Sequence, residues 1–189
     1  MDAKPLRDLE PELRSFWGRF SDCFEYQAAG YLAQSVAGQL SDLPRKSVEP
    51  IALRAEVPPR SLQEFLAHLT WDEQGVRDRM QQIVVAEQMV GVTIGLIDET
   101  SFVNQGTKTP GLQRQWCRRL GKVKNGIVTV HLGLACGDFQ AVLDGGLFLP
   151  ESWHDDRDRC RRTGLPDDIV YRPKWKIALE QYDRAVLTG

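Results

Sequence analysis

Apolar positions recur at helical spacing up to about residue 90 and at strand spacing after it. Leu9, Leu13, Phe16, Trp17, Phe20 and Phe24 predict an amphipathic helix over roughly 10–24, with Pro11 suited to its first turn. Tyr31, Leu32, Val36 and Leu40 share one face of a second helix over 26–40. After the polar break Ser41–Ser47, two short helical pieces are expected at about 48–56 and 61–69. Pro58-Pro59 separates them, and Leu62, Phe65, Leu66 and Leu69 form the buried face of the second, which makes a helix-turn-helix candidate. Thr70 and Glu73 have capping-box spacing, and Val76, Met80, Ile83 and Val84 carry that helix to about 89.

At Gly91 the period changes. Val92, Ile94, Leu96 and Ile97 run into Asp98 and predict a mostly buried strand. Residues 101–126 read as a long basic loop, and 127–136 as a second strand. Gly137-Asp138 turns the chain into a third strand near Ala141–Leu149, kinked at Gly145-Gly146. Residues 150–164 read as a surface turn with a short helix, and Lys174 to about Leu187 as a final helix with Trp175, Ile177, Ala178, Leu179 and Tyr182. The expected fold class is α+β: a helical region over 1–90, then about three meandering strands plus a helix over 91–189.

Composition narrows this picture. The 189 residues are 42% hydrophobic and 26% charged, ordinary values for a folded chain with a sizeable core. The net charge of −2 means that any nucleic-acid surface must be a local patch. Such a patch exists: Thr100–Gly137 holds Lys108, Arg114, Arg118, Arg119, Lys122 and Lys124 and no acid. Cys23, Cys117, Cys136 and Cys160 are widely spaced, so neither a zinc site nor a disulfide framework is indicated. No secretory leader and no membrane-length apolar run is evident, so a cytoplasmic protein without a membrane partner is expected.

Asp98 is the chief candidate for chemistry. A carboxylate at the end of a strand is held in position while solvent and substrate can reach it, which suits a metal ligand. Asp98-Glu-Thr-Ser also fits a turn after a strand, and the residues alone leave both readings open. The basic run can neutralise phosphates, with Gln113, Gln115, Trp116 and Asn125 offering hydrogen bonds or a stacking surface. It reads equally as a solvated loop. Gly106–Gly111 is not a P-loop, because no Gly-Lys-Ser/Thr follows. In the helix-turn-helix candidate, Arg54, Arg60, Gln63 and His68 are positioned to face DNA, although ordinary helical hairpins share the pattern. His154 with Asp155, Asp156 and Asp158 reads as a charged turn and helix start, and His131 as a core or edge histidine.

Several blocks, in order over most of the chain, resemble the N-terminal portion of bacterial insertion-sequence transposases of the DDE type. They are Arg45-Lys-Ser, Arg60-Ser-Leu-Gln-Glu-Phe-Leu, Trp71-Asp, Leu96-Ile-Asp-Glu-Thr-Ser-Phe, Gly111 to Asn125, Leu149-Pro-Glu-Ser-Trp153 with Asp156 and Arg157, and Lys174 to Ala178. Trp116 and Gly126 depart from the more usual Tyr and Gln.

The resemblance implies a helical DNA-binding region before an RNase H-like domain in which two Asp and one Glu hold magnesium or manganese for strand cleavage and joining. Asp98 would be the first acid, both catalytic and metal-binding. Lys108, Arg114, Arg118, Arg119, Lys122 and Lys124, with Arg60 and Gln63, would contact transposon-end DNA. The second acid would lie on the strand after the last helix, beyond Gly189, so this chain is expected to be truncated before it, to hold metal weakly and to be inactive alone. It would leave an unpaired, apolar sheet edge, favouring self-association or pairing with full-length transposase. The competing expectation is a non-catalytic DNA-binding or oligomerising remnant that regulates the full-length enzyme.

Overall fold

A computed structural model describes residues 10–69, 71–106, 108–117 and 120–188, in which helices precede an antiparallel sheet, an α+β arrangement. The chain forms two compact units, residues 1–79 and 80–189. No described helix is long and apolar enough to cross a membrane.

The first unit holds α1 (Glu10–Gly18), a 3-10 turn (Ser21–Cys23), α2 (Tyr26–Leu40), α3 (Val48–Arg54), α4 (Pro59–Ala67) and the start of α5 (Glu73–Gln88). The helix expected over 10–24 stops at Gly18, because the chain turns to bury Phe20, Cys23 and Phe24. Phe20 packs edge-on against Phe16, with ring centroids 5.3 Å apart. Ile51, Ala52 and Leu62 tie α3 to α4 in a buried cluster flanked by Tyr31, Leu43 and Val57. α4 begins at Pro59, where the missing N–H costs nothing, so it lies earlier than expected and leaves Leu66 exposed. Asp72 caps α5: its Oδ1 accepts the Gly75 N–H at 2.8 Å. The expected cap, Thr70, lies outside the described residues.

The second unit is built on a long central strand. Its strands are β1 (Thr93–Val103), β2 (Gln113–Cys117), β3 (Lys122–Cys136) and β4 (Phe139–Phe148), followed by α6 (Glu151–His154), α7 (Arg157–Arg162) and α8 (Lys174–Thr188). One edge of β3 pairs with β1 from Gly126 to Cys136. The other pairs with β4 from Val128 to Cys136 and with β2 from Lys122 to Gly126. All pairings are antiparallel, so β1, β3 and β4 form the expected meander. The segment expected to be a basic loop instead contains β2, the end of β1 and the start of β3. Ladder hydrogen bonds with β3 hold this polar sequence extended although little of it reaches a core.

Alternation along β3 separates the two faces of the sheet. Val128, Val130, Leu132 and Leu134 are buried on one face. Leu132 and Leu134 pack with Val84 and Met80 of α5 and with Leu143, while Ile177 and Ala178 of α8 pack on Val130 and Phe148. Each such fully buried side chain contributes about 1.5–3 kcal/mol.

Two expectations are corrected here. β1 is not mostly buried: it lies at the sheet edge with one neighbouring strand, leaving Ile94, Leu96 and Ile97 about half exposed, at 58%, 49% and 55%. The irregularity in β4 is not at the glycine pair. The register shifts opposite Leu132/Gly133, so Leu143 is the extra residue and its side chain enters the core. Gly145 and Gly146 stay in register with His131 and Val130 and are small because of what lies against them. A Cβ at Gly145 would sit 3.0 Å from His131 Nδ1, and one at Gly146 would sit 3.0 Å from Ile177 Cγ2.

Candidate functional site

Asp98 sits within β1, directly opposite His131 of β3, so a side chain at 98 shares the sheet face of Ile94, Leu96, Thr100 and Phe102. This is the face opposite the buried Val128–Leu134 row. Its turn reading is overturned, because the ladder continues five residues further to Val103. Asp98 Oδ1 accepts the Glu99 N–H at 2.8 Å, and no other described residue bonds to the carboxylate. It is exposed and open to solvent.

Glu99 points the other way. Opposite Val130, on the helix side, it pairs with Lys174 at the start of α8. The two adjacent carboxylates therefore cannot converge on one ion. A shallow recess of about 240 Å³ runs between β1 and α8, with Glu99, Lys174 and Trp175 among its walls.

His131 shares the face of Asp98, and its Nε2 lies 2.6 Å from Thr129 Oγ1 in a hydrogen bond. By sequence it reads as a core or edge histidine. Its direct pairing with Asp98 needed the strand register, which no local pattern encodes.

The basic residues divide by strand alternation. In the β2–β3 hairpin, Arg114 pairs with Asn125 and Trp116 with Val123, and these four side chains lie on the face of Asp98. Lys122 and Lys124 pair with Cys117 and Gln115 and point to the opposite face, both exposed. Lys108 is exposed in the loop between β1 and β2. That loop closes with Gly111 against Leu147, a residue on the face of Asp98, where an added Cβ would lie 3.2 Å from Leu147 Cδ1. Arg118 and Arg119 lie outside the described residues. Arg60 and Gln63 belong to α4 in the first unit; both are exposed, and Arg60 Nε binds Glu64 Oε1 at 2.8 Å.

One block braces the basic region. Trp153 and Cys160, fully buried, pack with Leu112, Leu149 and Ile127. Trp153 Nε1 donates to the Leu112 carbonyl at 2.8 Å, and Arg159 lies 3.7 Å over the Trp153 ring. The block anchors the start of β2. Asp156 caps α7 by accepting the Arg159 N–H at 2.9 Å, and Asp158 pairs with Arg161, so the His154 cluster is a helix start.

A divalent cation with oxygen ligands needs several donors converging on one point. Among the described residues, no group of three or more His, Cys, Asp or Glu side chains could hold a metal ion. Asp98 alone does not fit a complete site.

The model of the DDE superfamily endonuclease family matches residues 19–189, and the chain belongs to that family. It is 33% identical over 133 residues to a probable transposase for insertion sequence element IS701 from Microchaete diplosiphon. The match covers 69% of this chain and 32% of that protein, so the chain spans about a third of the length of its relative. No solved structure matches the chain. The resemblance to insertion-sequence transposases is thereby borne out.

Proposed function

We propose that this chain takes part in DDE-type transposition, binding transposon-end DNA with its basic strand region and presenting Asp98 as the first acid of the metal-binding set. The observation that carries the reading is the position of Asp98: an exposed carboxylate on the open side of an edge strand, in a chain whose family match spans residues 19–189. Among the described residues, Lys108, Arg114, Lys122 and Lys124 would contact phosphate in this reading, with Arg118 and Arg119 between Arg114 and Lys122 in sequence. Arg60 and Gln63 of α4 are a second DNA-contacting set. Magnesium or manganese is the cation this chemistry uses, and Asp98 is the residue here that would touch it.

The test is a salt titration of duplex binding. Neutralising Arg114, Lys122 and Lys124 together is expected to reduce the slope of log affinity against log salt by about 2.7, about 0.9 per phosphate contact. Asp98→Ala is expected to leave that slope unchanged. An unchanged slope in the triple variant would remove these residues from the account.

A second reading is favoured by the lack of a converging ligand group among the described residues. In it the chain occupies transposon ends without cutting and associates with full-length transposase through the free edge of β1. It predicts duplex binding without magnesium-dependent nicking, and co-sedimentation with the full-length enzyme. Nicking that disappears in Asp98→Ala would decide for the catalytic reading.

A further inference from the structure

The tip of the β2–β3 hairpin exposes apolar surface where a hairpin ordinarily carries polar side chains. Trp116 is 61% exposed, and its cross-strand partner Val123 is 43% exposed. Leu120, in the connection, is 41% exposed. One basic side chain lies beside this patch on its own face, Arg114, two residues before Trp116, while Lys122 and Lys124 flank Val123 in sequence and point to the opposite face. Exposed apolar surface with a polar rim marks an interaction site. The Arg114 guanidinium on the same face favours a polyanion over an apolar protein surface, and the tryptophan offers such a ligand a flat π-face for a base.

Bases inside a duplex present edges in the grooves and keep their faces stacked on each other. An exposed indole can stack only on a base that is unpaired or turned out of the helix. We propose that the hairpin tip is a binding site for an unpaired nucleotide, with Trp116 as the stacking platform and Arg114 as the anchor of its phosphate. This deepens the reading of the chain as a DNA-binding protein and rests on it. The site has a defined relation to Asp98, whose partner His131 is eight residues along β3 from Val123, the partner of Trp116. At about 3.3 Å per residue this is about 26 Å, though the strand twist turns the face along the way. A nucleotide at Trp116 therefore lies about eight phosphate steps or fewer from one at Asp98, at about 3.4 Å per step in a duplex strand.

The experiment measures the affinity of the whole chain for a poly-dT oligonucleotide and for a blunt mixed-sequence duplex. Trp116→Ala is expected to weaken poly-dT binding about 5- to 150-fold, the range for losing one stacked base, and to change duplex binding less than about twofold. Trp116→Phe is expected to keep most of the affinity, because a ring is what the site needs. Arg114→Gln is expected to lower the salt slope for poly-dT by about 0.7. Equal loss on both DNAs, or no loss on either, overturns the stacking site while leaving duplex binding intact as evidence for the broader reading. A wild-type chain that binds neither DNA overturns both. A change in the sedimenting mass of DNA-free protein on Trp116→Ala would make the tip a protein interface and also overturn the proposal.

Discussion

Asp98 and His131 face each other across the β1–β3 ladder, on the side of the sheet that carries Ile94, Leu96 and Phe102 at its exposed edge. The pairing sets a carboxylate beside an imidazole already hydrogen-bonded to Thr129. Nothing in the packing depends on the carboxylate. Asp98→Ala is therefore expected to change stability by no more than about 0.5 kcal/mol, the usual range for exposed positions, measured by denaturant unfolding. A loss of several kcal/mol would make Asp98 a structural residue.

Gly126 stands where three strands meet. It pairs with Val103 on one side and Gln113 on the other, and a Cβ there would lie 2.8 Å from the Phe102 carbonyl oxygen. The obstruction is backbone, which cannot rotate away. Gly126→Ala is expected to destabilise the sheet by about 1–3 kcal/mol, the range for overpacking. A thermal melt with an unchanged midpoint would show that β1 moves aside at no cost.

Trp153 holds the base of the hairpin through one hydrogen bond and a full ring of buried contacts. Trp153→Phe leaves the Leu112 carbonyl without its donor and opens space beside Cys160. The expected loss is about 2–4 kcal/mol, combining an unsatisfied buried acceptor with a partial cavity. Since Leu112 immediately precedes β2, hydrogen exchange at Gln113–Cys117 should quicken more than exchange in α8. Uniform quickening would separate Trp153 from the hairpin.

Asp22 gives a pH test of the first unit. The hydrogen bond from Arg79, at 2.7 Å, holds its carboxyl below the ordinary range, helped by a backbone N–H and by the Arg79 charge. A depressed folded-state pKa means that the contribution is fully present above the unfolded value of about 3.9 and is lost as pH falls through the folded value. Wild type should therefore lose more thermal stability than Asp22→Asn between about pH 6 and pH 3. Equal losses would show that the pair is solvated away. Neighbouring Cys23 has its thiol pushed up by burial first and by the Asp22 charge second, and should react slowly with a thiol reagent at neutral pH.

The helices were legible because their apolar spacing is local: α2 occupies 26–40 as read, and α8 lies within a residue of its expected end. The strand run around Asp98 was legible for the same reason, and the ordered motifs pointed to the family that the comparisons then showed. β2 was missed because Gln113-Arg-Gln-Trp-Cys has no apolar alternation, and only pairing with Lys122–Gly126 makes it a strand. Gly145 read as a kink because nothing local reveals a histidine ring on the neighbouring strand.

By itself the sequence determined that a helical region precedes a strand-rich one, that a carboxylate sits in an apolar run, and that a stretch free of acids follows it. These are properties of neighbours along the chain, set by side-chain period and charge. Tertiary structure alone decided that Asp98 and Glu99 face opposite sides, that Asp98 meets His131, that β1 is an exposed edge, and that Arg114 and Trp116 share the carboxylate's side while Lys122 and Lys124 do not. Each follows from strand register and sheet order, which hydrogen bonds between residues far apart in sequence establish and which no local period can specify.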